Sequence, residues 1–325
     1  MVAMGQTRRE FLTGLGAVLL LPLLTGCTER PPLRIAAHPW PGYELLFLAR
    51  RQGWLNEQQA RLVETVSASA SLQAVASGSA DGACLTLDEL LRARDGGLSL
   101  TAVLVFNISA GADQILGRPG ITSIRQLAGK RIGVERSAVG ELMLLLTLQA
   151  AGLERSQVTV VPLTPDRHLE VWRTGQLDAI VCYEPIASHL HDIGATSLYD
   201  SRSMPGMIVG VLAVRTELLD RQAAALRALT AEHFRALDYL RRHPQDAAYR
   251  MSERFKLPAG EVLDTYRGLE LPGQDANRKL LAGPSARLLG TARTLSPILQ
   301  QVGLLKQPAN LAGLVDDRFL AERDS

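Results

Sequence analysis

Short apolar runs alternate along this chain with longer segments in which apolar residues recur every three or four positions. The short runs predict strands and the longer segments predict helices. Leu33 to Ala37 reads as a first strand, and Pro39-Trp40-Pro41-Gly42-Tyr43 breaks it as a rigid loop. Glu44 to Gln52 reads as a helix that stops at Gly53. Arg61 to Thr65 is a second strand, Ser69 to Ser77 a helix closed by Gly78, and Ala80 to Leu85 a third strand. Thr86 is placed to N-cap a helix beginning near Asp88. Leu100 to Phe106 is almost wholly apolar, which predicts a strand buried on both faces. Such alternation predicts a parallel sheet with helices on both faces, an α/β fold.

A second cycle follows. Asp113 to Leu116 and Arg131 to Val134 read as strands, with Ser123 capping a short helix between them that carries Leu127. Glu135 to Val139 reads as a loop, Gly140 to Ala151 as an apolar helix, Val158 to Pro162 as a strand and His168 to Thr174 as a helix. Asp178 to Cys182 is a strand, followed by the loop Tyr183-Glu184-Pro185. Met207 to Val214 is one more apolar strand, and from Glu217 the chain predicts helices punctuated by proline. There is no repeat of solenoid length.

The first residues follow neither rhythm. Arg8 and Arg9 precede an apolar run from Phe11 to Leu24, too short for a comfortable membrane span. A charged start, a short apolar stretch and small residues predict a secretory signal over residues 1–26. Thr7-Arg8-Arg9-Glu10-Phe11-Leu12 resembles a twin-arginine export address, with a plain Sec signal as the alternative. Leu24-Thr25-Gly26-Cys27 resembles the bacterial lipobox, which implies acylation of Cys27 and a membrane anchor outside the cytoplasm. Residues 27–32 then form a tether ending in two prolines.

Composition narrows the function. A chain of 325 residues suits two domains. A net charge of +2 and only 5% aromatic residues argue against a nucleic-acid partner. Beyond Cys27 there are Cys84 and Cys182, each in an apolar strand of a different half, so they are expected to stay unpaired. No metal-ligand spacing, no phosphate-cradling glycine loop, no Gly-x-Ser-x-Gly and no His-Glu-x-x-His is present. The expectation is therefore no metal, no cofactor and no catalytic residue.

Trp40-Pro41-Gly42-Tyr43-Glu44 with Leu48-Ala49 and Gly53-Trp54 resembles the opening of substrate-binding proteins of nitrate, sulfonate and taurine ABC importers. Their superfamily includes binders of thiamine-pyrimidine precursors. Ser77-Gly78-Ser79-Ala80-Asp81, Ser123 to Val134, Gly175-Gln176-Leu177-Asp178-Ala179, Tyr183-Glu184-Pro185 and Pro205 to Val209 continue the resemblance in order. It implies a type II periplasmic binding protein: two Rossmann-like lobes joined by two hinge strands, with solute held between them. Lobe one would comprise residues 33–112 and 207–325, its helical C-terminal part packed back on it, and lobe two residues 113–206. Hinges fall near Asn107 to Gln114 and Met204 to Val211. One position departs from the pattern: Gly210 stands where the family's return strand often carries Asp. The resemblance also implies an ABC permease as partner, a monomer, and no enzymatic activity.

In open α/β sheets ligands lie beyond the carboxyl ends of the strands. That rule selects His38, Trp40 and Tyr43, then Thr86 and Asp88, then Asn107 at the hinge, Ser137-Ala138-Val139-Gly140, and Tyr183-Glu184. Trp40 and Tyr43 suit an aromatic wall. Ser137 to Gly140, before a helix, suits an anion, although an ordinary N-cap needs the same residues. Glu184, Asp88 and Asp113 point the other way, to a cationic or zwitterionic solute, unless Glu184 merely caps the next helix. Two further readings share the site: a sensing module for a membrane kinase or cyclase, and, more remotely, a periplasmic enzyme.

Overall fold

A computed structural model describes residues 31–321. The signal, Arg8, Arg9 and Cys27 lie outside the described residues.

The first sheet begins with β1 (Leu33–Ala37), α1 (Pro41–Arg51), β2 (Ala60–Glu64), α2 (Ala68–Ala76), β3 (Gly82–Thr86), α3 (Leu87–Asp95) and β4 (Leu100–Ser109). The chain then builds a second sheet from β5 (Asp113–Gly117), β6 (Arg131–Val134), α4 (Ala138–Ala151), β7 (Thr159–Pro162), α5 (His168–Arg173), β8 (Ala179–Tyr183), α6 (Ile186–Asp192) and β9 (Thr196–Asp200). It returns through β10 (Val209–Arg215), α7 (Ala223–Arg242), α8 (Pro244–Phe255), α9 (Ala259–Val262), β11 (Leu269–Glu270), α10 (Gln274–Leu281) and α11 (Arg287–Gln301).

Strand order in the first sheet is β11-β4-β10-β3-β1-β2, and in the second β7-β6-β8-β5-β9. The expected parallel sheet needs correction. β1 runs parallel to β2 and β3, but β10 lies antiparallel between β3 and β4. The cause is connectivity. The chain leaves the first sheet at the carboxyl end of β4, so the strand that comes back starts at that edge and must run the other way. The second sheet repeats the device, with β5 antiparallel to β8 while β6 is parallel to both β7 and β8. The carboxyl ends of both parallel sets therefore face the crossing point.

β4 is buried from Leu100 through Asn107, as its apolar run predicts. Its outer edge is paired by β11 only at Ile108 and Ser109. At Val105 the Asn277 side chain takes the place of a strand: its Oδ1 accepts the Val105 N–H at 2.7 Å and its Nδ2 donates to the Val105 carbonyl at 3.0 Å. That leaves no buried backbone group unpaired there. Helices α7 and α8 pack on α1, and α11 packs on α3. Cys84 and Cys182 are free and buried, one in each sheet. β9 escaped the sequence pattern because Thr196-Ser197-Leu198-Tyr199-Asp200 is a largely polar edge strand.

Two segments cross between the sheets, residues 110–112 and 201–208. They are tied together: the Ser201 hydroxyl accepts the Gly111 N–H at 2.7 Å and shares a 2.7 Å hydrogen bond with the Ser109 hydroxyl.

Candidate functional site

Trp40 is the N-cap of α1, with Pro41 at the first helical position. Proline has no N–H to lose there, and its fixed φ suits a helix start. Pro41, Gly42 and Tyr43 are thus the first turn of α1 and not the loop the sequence suggests. The turn aims both aromatics at the crossing point. Trp40 is 5% exposed and Tyr43 is fully buried. The Trp40 indole N–H donates to Asn107 Oδ1 at 2.9 Å. Its ring meets Tyr183 edge-on at 5.5 Å between centroids, and His38 meets Tyr43 in the same way at 5.2 Å.

Asn107 is held from two sides. A Cβ on Gly42 would sit 2.1 Å from Asn107 Oδ1, and a Cβ on Gly210 would sit 2.4 Å from it. The missing side chain at 210 is therefore what makes room for Asn107, and Asn107 is what fixes Trp40.

From the second sheet come Ser137, Val139 and Gly140 at the start of α4, Tyr183 at the end of β8, and Asp113 at the start of β5. Helix α4 starts at Ala138, two residues earlier than the pattern predicts, because Ser137 is its N-cap and its hydroxyl accepts the Gly140 N–H at 3.3 Å.

Two adjoining cavities result, of about 10 Å3 each. That is roughly the space of one water molecule. One is lined by His38, Trp40, Tyr43, Thr86 and Glu89 among others, the second by Glu135, Ser137, Gly140 and His168 among others. Asp113, Val139 and Tyr183 line both. Three of the residues singled out from sequence lie beside the cavities and not on their walls. Asn107 stands behind Trp40. Asp88 is buried one residue before Glu89. Glu184 turns away: its Oε2 accepts the Ser188 N–H at 3.1 Å and the Ser188 hydroxyl at 2.8 Å, which makes it a cap of α6.

The carboxylates on the walls are Glu89, Asp113 and Glu135, all buried. Glu89 escaped notice because a Glu in a first helical turn reads as a capping residue, and Glu135 because it stands in the loop after β6, where a Glu is ordinary. Glu89 does cap, since its Oε2 accepts the Thr86 N–H at 2.9 Å. Burial pushes the Asp113 carboxyl up to about 7, helped by the charges of Asp88 and Glu184. Burial and the Asp88 charge push Glu89 well up, and burial lifts Asp88 to about 6. Burial also drives His38 down to about 4, so it is neutral and balances none of these charges.

Three polar contacts close the two halves on each other. Glu135 Oε1 accepts the Ser69 N–H at 3.1 Å and the Ser69 hydroxyl at 2.9 Å. Arg92 donates to the Arg136 carbonyl at 2.9 Å, and His189 Nε2 lies 3.3 Å from the Phe255 carbonyl. Replacing Glu135 by alanine removes the first contact. A charge-assisted pair of bonds of this kind contributes about 2 kcal/mol, so the balance should move roughly thirtyfold toward a parted form. Small-angle scattering should show a larger radius of gyration for Glu135→Ala than for the wild type, and an unchanged radius would show that Glu135 is no latch.

Residues 40–247 match the family model described as NMT1/THI5 like. A protein of Brucella abortus (strain 2308), provisionally named a binding protein, is 23% identical over 253 residues, covering 74% of this chain and 76% of its own. The alkanesulfonate-binding protein SsuA from Xanthomonas axonopodis pv. citri, solved bound to MOPS, superposes with a TM-score of 0.75 at 19% identity, over 89% of this chain and 99% of that one. The desulfurization enzyme DszB has the same fold, with a TM-score of 0.62 at 18% identity over 89% of this chain and 97% of its own.

Proposed function

This chain belongs to the NMT1/THI5-like family, and we propose that it is the solute-capturing component of an ABC importer, exported and anchored to the membrane face by a lipid on Cys27. The observation that carries the reading is the convergence of Trp40, Tyr43 and Tyr183 with unpartnered polar atoms in a buried pocket between two sheets. A small solute would take the space opened when the halves part, and their closing would bury most of its surface. The crossings at 110–112 and 201–208 would act as hinges, tied by Ser109 and Ser201. Lobe one would then be 33–112 with 207–325, and lobe two 113–206.

Binding without chemistry fits the pocket. The Ser137 hydroxyl is engaged by the Gly140 N–H, and Cys84 and Cys182 lie in strands and not on the walls. The fold alone does not decide the matter, since DszB carries an enzyme on it.

The test is a thermal-shift screen of the purified protein against sulfonates, nitrate, bicarbonate, amidines and pyrimidine precursors. A solute at a hundredfold excess over its Kd should stabilise by about 2.7 kcal/mol. Failure of every class to shift the transition would count against solute capture. Cys27→Ala should move the protein from the membrane fraction to the soluble one. Retention in the membrane fraction would rule out the lipid anchor.

A further inference from the structure

The walls of the two cavities hold three acids, and their basic residues are the histidines His38 and His168, which burial keeps neutral. Glu89, Asp113 and Glu135 line them, Asp88 lies directly behind Glu89, and neither lining includes a lysine or an arginine. Among the described residues none of these four carboxylates is in a salt bridge. A cluster of buried carboxylates without a countercharge is costly even where Ser69 and the Thr86 N–H supply hydrogen bonds, and function is the usual reason to keep one.

Independent of the acids, His38 is 5% exposed, lines the pocket, and leaves its Nδ1 without a partner. Asp113 Oδ2 and Glu89 Oε1 are unpartnered in the same space. The other walls are the rings of Trp40, Tyr43 and Tyr183, whose π faces attract cations. Donors at the helix starts that line the cavities are already engaged: the Gly140 N–H of α4 donates to Ser137, the Ala70 N–H of α2 to Ser67, and the Ser69 N–H to the Glu135 carboxylate.

We propose that the solute is an organic cation: a flat amidinium, guanidinium or protonated amino-heterocycle whose N–H donors meet Asp113, Glu89 and Glu135 and whose ring lies among Trp40, Tyr43 and Tyr183. This rests on the reading of the pocket as a solute site. A single positive charge would offset part of the repulsion among the acids, and planar N–H donors match carboxylate oxygens.

The groups facing the site fix how affinity follows pH. On the walls they are His38 after β1, Tyr43 from α1, Glu89 from α3, Asp113 from β5, Glu135 before α4, His168 from α5 and Tyr183 from β8; beside the walls lie Asp88 and Arg92 on α3 and Glu184 after β8. Burial holds Asp88, Glu89, Asp113 and Glu184 toward the protonated form. Raising the pH ionises them, so cation affinity rises from about pH 5.5 to about pH 8 and anion affinity falls.

The experiment is titration calorimetry on the full chain with benzamidinium and 4-aminopyridinium, against benzenesulfonate, benzoate and neutral benzamide. The expected result is binding of the cations alone, tighter at the higher pH. Asp113→Asn should weaken it about tenfold or more. Circular dichroism checks that this variant folds, and Glu89→Gln provides a second variant with the same expected direction. Binding of an anion or of benzamide in preference to the cations overturns the charge assignment and leaves solute capture intact. Binding of no probe of any charge overturns solute capture and the assignment together.

Discussion

Gly210→Asp is expected to weaken solute binding about a hundredfold or more. Gly210 lies in the middle of the first sheet, opposite Thr86 on β3 and Asn107 on β4. Any side chain there starts 2.4 Å from Asn107 Oδ1 and 3.3 Å from Tyr43 Cε1. Asn107 cannot retreat toward Gly42, where the space is equally tight. Its amide must swing away, and the buried Trp40 indole N–H then loses its acceptor. Overpacking costs roughly 1–3 kcal/mol and an unsatisfied buried donor a similar amount, so a loss of about 3 kcal/mol is a conservative sum. Binding is measured by calorimetry with whichever solute the screen identifies. The partner variant makes the argument specific. Asn107→Ala with Gly210→Asp gives the new carboxylate the vacated space, where it can accept the Trp40 N–H and recover much of the affinity. A double variant no better than the single one would show that Asn107 is not the intermediary.

The second large effect is on stability. Glu44 is 2% exposed, on the buried side of α1, and its carboxylate accepts from Arg254 Nε at 2.9 and 3.1 Å. The same guanidinium pairs with Glu64 and lies 3.5 Å above the Phe47 ring, joining α8 to α1 and β2. Burial pushes the Glu44 carboxyl up to about 7 even with Arg254 beside it. Arg254→Met should therefore destabilise the fold by about 3 kcal/mol near neutral pH, the usual result of breaking a buried pair from one side. The pH dependence has a definite sign. A carboxyl raised above its ordinary 4.5 contributes stability that is fully present below 4.5 and is lost as pH rises through about 7. Arg254→Met should thus lose more at pH 8 than at pH 5, where Glu44 is neutral in both proteins. Adding Glu44→Gln should recover most of the loss. Thermal melts at the two pH values check all three statements.

Much of the architecture could be read from the chain because its strands are short, apolar and bounded by glycine and proline. Leu33 to Ala37, Arg131 to Val134 and Leu100 to Phe106 form as their patterns predict. What escaped was pairing direction, since β10 looks like any apolar strand and only the path of the chain makes it antiparallel. β9 escaped because an edge strand needs no apolar face. At the site, position relative to strand ends brought out His38, Trp40, Tyr43, Thr86, Ser137, Val139, Gly140 and Tyr183, all of which line the cavities, while Asp113 stood out only as an acid near the cleft. Side-chain direction was not legible. Asp88 and Glu89 are adjacent, and only the helical phase after Thr86 puts Glu89 on the wall. Glu184 has the residue type for a site, yet its carboxylate reaches Ser188 one turn on. Asn107 acts through Trp40, a role that no linear pattern records.

Hydrogen exchange on the full chain, with and without the solute found in the screen, tests two-sided capture most directly. Solute should slow exchange together at residues 40–44 and 86–90 in one half and at 137–141 and 183–188 in the other. Protection confined to one half, or placed away from these segments, would contradict capture between the two sheets.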